Sequence, residues 1–337
     1  MLKRGLGGST KKEIESALGI KNPVTKNVAK QIINALNESS GTEFTLKTAN
    51  GLFVHENFRL FPNFVLHLLN NFGASVKSVQ FGSKDGEKIV NDWVAEKTNG
   101  AIQNILERKS IDDKVALVNA IYMKAKWVQP FDKELTTIGA FVTPSRYVKI
   151  PMMRQTGKFL YLEGNKCALA FFPYQNLNLE NSWELGVVKT DPSVNPTTML
   201  GYLRADALEK LRSRCEMRNL DVKLPKCKIE TSVDLGAVLK DVFGIREVFD
   251  PDQADFSGMS AFTSKLHLSK ATQKCFIQID EEGTEAAAAT SLTISTRSPA
   301  TMQLIERFHV NSPFVYFVYQ PKSGIVLFQG IMNDPSI

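Results

Sequence analysis

Four histidines, His55, His67, His267 and His309, and four cysteines, Cys167, Cys215, Cys227 and Cys275, are the side chains best suited to proton transfer, nucleophilic attack or metal binding. Their spacing supports none of these. No His-Glu-x-x-His pair is present to hold zinc, no Gly-x-Ser-x-Gly turn presents a nucleophile, and no glycine-rich loop cradles phosphate. The cysteines lack metal-ligand spacing and sit in apolar or strand-like contexts, so they read as lone buried thiols. No catalytic residue, metal or cofactor is assigned, and the chain reads as a protein that is not an enzyme.

What remains is a segment whose chemistry is that of a shape change. From Thr284 to Thr296 the chain has no glycine, no proline and one charge, Glu285, and it shifts from small alanines to β-preferring Thr, Leu and Ile. The acidic, glycine-containing start at Glu281-Glu282-Gly283 and the end at Arg297-Ser298-Pro299 read as a hinge and an exposed loop tip. A neutral, proline-free, β-capable loop is an aggregation hazard that sequences ordinarily remove, so its retention points to a use. Alternation divides it into two faces. Thr284, Ala286, Ala288, Thr290, Leu292 and Ile294 form a small or apolar face that can be buried; Glu285, Ala287, Ala289, Ser291, Thr293 and Ser295 form one that can stay in water. The segment is patterned as the middle strand of a sheet covered on one side. A short helix is the alternative, because alanine and glutamate favour it, although the Thr/Ser/Ile-rich second half fits a helix poorly.

The elements around this segment are mixed. Ser9 or Thr10 caps a helix start at Ser9–Glu15, Asn27–Leu36 and Pro62–Phe72 read as further helices, and Lys88–Leu106 carries apolar residues at mostly helical spacing. Phe44–Val54 reads as a strand. Val115–Met123 is a nearly continuous apolar run that suits a strand buried on both faces, and Phe314–Tyr319 and Ile325–Ile331 are two more, joined by a turn at Pro321-Lys322-Ser323-Gly324. The 337 residues show no linker or repeat at which to divide them, so one domain over 1–337 is expected. The 41 basic against 35 acidic residues give a net charge of +6 without a concentrated stripe, which argues against a nucleic-acid partner. No run of eighteen apolar residues exists, so no membrane span is expected.

The acidic start, Gly283, Thr284 and Ala286 to Ala289 closely resemble the hinge of a serpin reactive-centre loop. The likeness extends along the chain in family order: Leu117-Val118-Asn119-Ala120-Ile121-Tyr122 through Trp127, Pro130-Phe131, Leu224-Pro225-Lys226, Asp255-Phe256-Ser257-Gly258-Met259 and Leu327-Phe328-Gln329-Gly330. It implies an α+β serpin fold of three β-sheets, about eight or fewer helices and an exposed reactive loop. It also implies an inhibitor that traps an acyl-enzyme by inserting the cleaved loop into the central sheet, a strand-addition event. Placing Glu281 at the hinge glutamate, sixteen residues before the cleaved position, sets the reactive bond at Arg297–Ser298. Arginine there suits a trypsin-like serine protease, whose specificity pocket holds a carboxylate. The hinge residues are then Glu281, Gly283, Thr284, Glu285, Ala286, Ala287, Ala288 and Ala289. By the same resemblance Asn119 and Gln273 belong to the shutter under the opening sheet, with Gln273 where the family usually has histidine, and Trp127 to the breach where the loop enters.

The alternative is a non-inhibitory serpin acting as a binding or chaperone-like protein, which the small-residue hinge argues against. The resemblance implies a monomer. It implies an extracellular location, with an intracellular one left open because no signal peptide is legible. Asn37 is the one acceptable glycosylation acceptor. Lys21, Lys26 and Lys30 are too scattered to make a convincing glycosaminoglycan site. The chain is expected to lack the family's usual first helix and first strand.

Overall fold

A computed structural model of the protein describes residues 1–19, 43–106, 114–176, 182–261, 265–284 and 304–336. Helices among them are α1 (Gly8–Ala17), α2 (Pro62–Phe72), α3 (Lys84–Lys97), α4 (Thr197–Leu200), α5 (Ala205–Ser213) and α6 (Leu235–Asp241). The strands are β1 (Phe44–His55), β2 (Ser75–Val79), β3 (Val115–Lys126), β4 (Thr137–Val142), β5 (Tyr147–Glu163), β6 (Cys167–Pro173) and β7 (Glu184–Thr190). They continue with β8 (Glu216–Pro225), β9 (Cys227–Asp234), β10 (Leu268–Ile279), β11 (Gly283–Thr284), β12 (Glu306–His309), β13 (Phe314–Gln320) and β14 (Ile325–Met332). The class is α+β.

One sheet of six strands runs β2-β1-β3-β10-β9, with the two-residue β11 added on β3. The other, of eight strands, runs β12-β8-β5-β6-β7-β13-β14, with β4 on β5. The second and third of the three expected sheets thus share one ladder, because the seventeen-residue β5 is long enough to pair with β4 and β8 along one part and β6 along another. The described residues group into two compact units, one holding Leu46–Tyr122 and Glu230–Phe276, the other Met123–Ile229 and Ile277–Ile337.

In the first unit β3 is covered on both faces. Ala116, Val118, Ala120 and Tyr122 pack in a cluster with Val90, Trp93 and Val94 of α3, while Val115 and Leu117 face a cluster with Leu52, Leu68, Leu266 and Ala271. Two-sided burial is what its unbroken apolar sequence requires. In the second unit Leu169, Phe171, Val188, Val315 and Phe317 form a core between strands that also takes Leu208 of α5.

Local signals account for most boundaries and for the departures. Pro62 opens α2 at its first position and Gly73, with φ of 54°, ends it in the left-handed region, as expected of each residue type. The helical spacing read over Lys88–Leu106 is helix only to Lys97. Thr98 turns the chain there: its hydroxyl donates to Val94 O and accepts from the Ile102 amide, and Asn99 and Gly100 adopt positive φ. The expected cap of the first helix is also different. Gly7 is the N-cap of α1, and Thr10 lies inside the helix, its hydroxyl turned to Glu247 and to the Gln253 carbonyl. The expected helix at Asn27–Leu36 lies outside the described residues.

Candidate functional site: a clasp at the root of β11 and an amide relay between strands

β10 ends at Ile279, and a tight turn carries the chain from Asp280 to Gly283, where β11 begins. Asp280 builds that turn with its side chain, Oδ1 accepting from the Glu282 and Gly283 amides at 3.1 Å each, while its own amide donates to Gly283 O at 2.8 Å. Gly283 has φ of 146°, a region open in practice only to glycine, and a Cβ there would stand 1.9 Å from Ala125 O. The reason for glycine at position 283 is therefore the close approach of two backbones. β11 then pairs antiparallel with β3, Gly283 opposite Lys126 and Thr284 opposite Ala125.

Trp127, the residue after β3, clasps this turn. Its backbone amide donates to Glu282 O at 2.9 Å and its indole Nε1 to Asp280 O at 2.8 Å; Phe131 N donates to Glu281 O at 2.7 Å. The indole is stacked on Tyr174 with centroids 4.5 Å apart and is edge-on to Phe131 and Phe172, so its direction is fixed. Glu281 is buried, and each of its carboxylate oxygens has a partner: Lys226 Nζ donates to Oε2 at 2.8 Å and Thr136 Oγ1 to Oε1 at 3.0 Å. Burial alone would raise this carboxyl; Lys226, a backbone amide and Thr136 together outweigh it and hold the group below its usual range. Asp280 is pushed up by burial, despite the two amides that it accepts. Glu282 forms an ion pair with Lys133.

The expected shutter residues meet inside the first unit. Gln273 on β10 donates from Nε2 to Asn119 Oδ1 on β3 at 2.9 Å. Asn119 Nδ2 in turn donates to Asn50 Oδ1 on β1 at 2.7 Å, and Asn50 Nδ2 to Phe72 O at the end of α2 at 3.2 Å. Three amides thus tie three neighbouring strands to a helix end with every donor pointing the same way. No member of the relay titrates.

Of the residues singled out from the sequence, Glu281, Gly283, Thr284 and Trp127 come together at the clasp and Asn119 with Gln273 in the relay. Arg297, Ser298, Glu285, Ala286, Ala287, Ala288, Ala289, Asn37, Lys21, Lys26 and Lys30 lie outside the described residues. The four cysteines are unpaired, Cys227 buried and the others partly so. Burial pushes up three of the thiols, Cys227 to about 12 and Cys215 and Cys275 to about 11, which disfavours the nucleophilic thiolate at each of the three. Sequence reasoning gave no role to Asn50, Lys133, Thr136 or Lys226. Only Lys226 left a trace, in Leu224-Pro225-Lys226.

The six-stranded sheet thus carries a two-residue strand, Gly283–Thr284, on the end of β3, rooted in a turn that Trp127 holds. The family model for serpins, serine protease inhibitors, matches residues 1–335. Human leukocyte elastase inhibitor is 34% identical over 320 residues, covering 90% of this chain and 82% of that protein. Human serpin B8 is 33% identical, covering 99% and 89%. Among solved structures, Serpin48 of the insect Tenebrio molitor superposes with a TM-score of 0.82 at 28% identity, covering 99% of this chain and 88% of that one. The chain belongs to the serpin family. Among the described residues no helix is long and apolar enough to cross a membrane.

Proposed function

We propose that the chain works as one serpin domain over residues 1–337 and is a suicide-substrate inhibitor of trypsin-like serine proteases, with Arg297–Ser298 as the reactive bond. The protease serine attacks the Arg297 carbonyl, an ester forms, the amide to Ser298 breaks, and the new Ser298 amine departs with the proton. Insertion of the freed segment then carries the acyl-enzyme away before water can hydrolyse the ester.

The observation that carries this reading is the direction and register of β11. Continued one residue at a time from Thr284 opposite Ala125, it sets Glu285 opposite Lys124, Ala287 opposite Tyr122, Thr290 opposite Asn119 and Ile294 opposite Val115, the first residue of β3. The register therefore reaches the end of β3 at Ile294, two residues before the proline-free segment ends at Thr296, and Arg297 falls just past the strand. The charges match at Glu285 and Lys124. Thr284, Ala286, Ala288, Thr290, Leu292 and Ile294 fall on the Val115 and Leu117 side of β3. Ala287, Ala289, Ser291 and Thr293 fall on the side already covered by Trp93 and Val94. That second face was expected to stay in water; covered instead, it needs small side chains, which it has. Insertion parts β10 from β3 and with it the Gln273–Asn119 bond, leaving Thr290 to meet Asn119.

The ten residues 285–294 add ladder hydrogen bonds worth roughly 0.5–1.5 kcal/mol each, on the order of 10 kcal/mol together. That equals the whole stability of an ordinary domain. Elastase, for which some relatives are named, has a small specificity pocket that arginine does not fit, so the scissile residue and not the scaffold moves the reading to trypsin-like enzymes. Four unpaired cysteines support a reducing compartment over the extracellular one that the resemblance implies. Recovery of the tagged chain only from culture medium would refute that placement.

Incubation with trypsin tests the mechanism. A detergent- and heat-stable adduct whose mass includes the chain cut after Arg297 is expected, and it should be lost in Arg297→Ala. Complete cleavage without an adduct would mean that the chain is a substrate or a non-inhibitory binding protein.

A further inference from the structure

The outer face of the three strands β12, β8 and β5 carries an in-register block of cations. β5 and β8 pair antiparallel with Arg154 opposite Lys223, Thr156 opposite Asp221 and Lys158 opposite Asn219; β12 pairs parallel with β8, setting His309 beside Lys223 and Arg307 beside Asp221. Residues directly opposite share a face. Arg154, Thr156, Lys158 and Arg307 are exposed, while the alternate residues Gln155, Phe159, Leu220, Val222 and Phe308 are buried beneath. Four permanent cations and one histidine thus stand on this face with one carboxylate.

That carboxylate is occupied. Asp221 accepts from Arg154 Nε at 2.8 Å and Nη2 at 3.1 Å, and from His309 Nε2 at 3.0 Å. Lys158, Lys223 and Arg307 make no ion pair among the described residues. Arg154 and Lys223 stand directly opposite one another, an arrangement of like charges that weakens a sheet. With strands about 4.8 Å apart and alternate residues about 6.8 Å apart along each, the block covers roughly 10 by 14 Å. Lys158, Lys223 and Arg307 thus add charge to this face without an ion pair to the fold among the described residues.

We infer that this face is a docking surface for an acidic patch on the target protease. The inference rests on Arg297 as the scissile residue. Ten peptide units join Arg297 to Arg307, so the block lies within about 35 Å of the reactive bond whatever path the chain takes. A trypsin-like enzyme of some 220 residues has a radius of gyration near 17 Å, about 22 Å to its surface, and one holding Arg297 can lay its flank on the block. Cations on an open rim act mainly on the rate of encounter and its salt dependence. The chain would then select among arginine-cutting proteases by their surface charge, a choice that Arg297 cannot make.

Two trypsins of opposite net charge, an anionic and a cationic isoform, separate the two. Both cut after arginine, so both are trapped if Arg297 is the reactive residue. Wild type should inhibit the anionic isoform about 10-fold faster than the cationic one at low salt, with the gap closing at high salt. The triple variant Lys158→Glu, Lys223→Glu, Arg307→Glu should reverse the order, and the triple glutamine variant should abolish the preference, both with unchanged stoichiometry of inhibition as proof of an intact fold. Equal rates for the two isoforms, or variants that shift both alike as a bound polysaccharide site would, overturn the docking surface and leave Arg297 standing. Failure to trap either isoform overturns Arg297 and the docking surface with it.

Discussion

Replacing Gly283 by alanine tests whether insertion starts from β11. The added Cβ would lie 1.9 Å from Ala125 O, 2.5 Å from Lys126 Cα and 2.8 Å from Ala125 C, all backbone atoms that cannot swing aside, and φ of 146° is itself unfavourable for alanine. The chain either keeps the pairing with strain of about 1–3 kcal/mol or releases β11 and loses one or two ladder bonds of about 1 kcal/mol each. Either way the paired state rises by about 1–3 kcal/mol. If β11 is released and insertion must first re-form that pair, its barrier rises equally and the rate falls about 5- to 150-fold. Cleavage at Arg297, fourteen residues away, is untouched, so the acyl-enzyme forms normally and hydrolyses more often. We expect the stoichiometry of inhibition by titration against trypsin to rise well above one, with a growing cleaved band on denaturing gels. Gly324→Ala is the control: φ of 69° strains it, but nothing lies within 4 Å and it sits in the turn between β13 and β14. An unchanged stoichiometry in Gly283→Ala, with the β3 end shown by hydrogen exchange to have lost its protection, would refute insertion from β11.

Three other variants probe the neighbouring contacts. Thr284→Arg places a long charged side chain on the inserting face opposite Ala125, and should turn the chain from inhibitor to substrate, read as cleavage without adduct. Gln273→Ala leaves Asn119 Oδ1 without its donor and should lower stability to urea by about 1–2 kcal/mol, with Gln273→Glu no better because it cannot donate when ionised. Lys226→Met removes the cation from Glu281 at a cost of about 1–2 kcal/mol, held low because the lysine side chain is 42% exposed. Since the folded Glu281 titrates below its ordinary range, its contribution is present above that range and is lost as pH falls through the folded value. The Lys226→Met variant should therefore show a shallower loss of stability on acidification than the parent, and equal slopes would contradict the pairing.

Much of the scaffold was legible because local chemistry decided it. Pro62 and Gly73 bound α2, and the apolar run from Val115 announces a strand covered on both faces. The apolar run stops at Met123, whereas β3 continues through Lys124 to Lys126, which β11 and Glu43 both engage. Helical spacing misled beyond Lys97, since Ile102 and Leu106 are buried by an irregular turn that Thr98 organises, and burial alone preserves the period. At the site, Gly283 and Trp127 were legible from the hinge and its order in the chain. Lys226, Thr136 and Asn50 were not. They reach Glu281 and Asn119 across 55, 145 and 69 residues of sequence, and no local pattern encodes such a meeting. The block of cations was hidden for the same reason, because Arg154, Lys158, Lys223 and Arg307 become neighbours only through strand register.

The store of energy in the uncut chain can be read directly by heating it before and after a single cut at Arg297–Ser298. With about 10 kcal/mol gained on insertion and an unfolding entropy near 0.7 kcal/mol/K for a chain of this length, the cut protein should melt about 15 °C higher than the intact one. A cut chain that melts at the same temperature or lower would contradict the account.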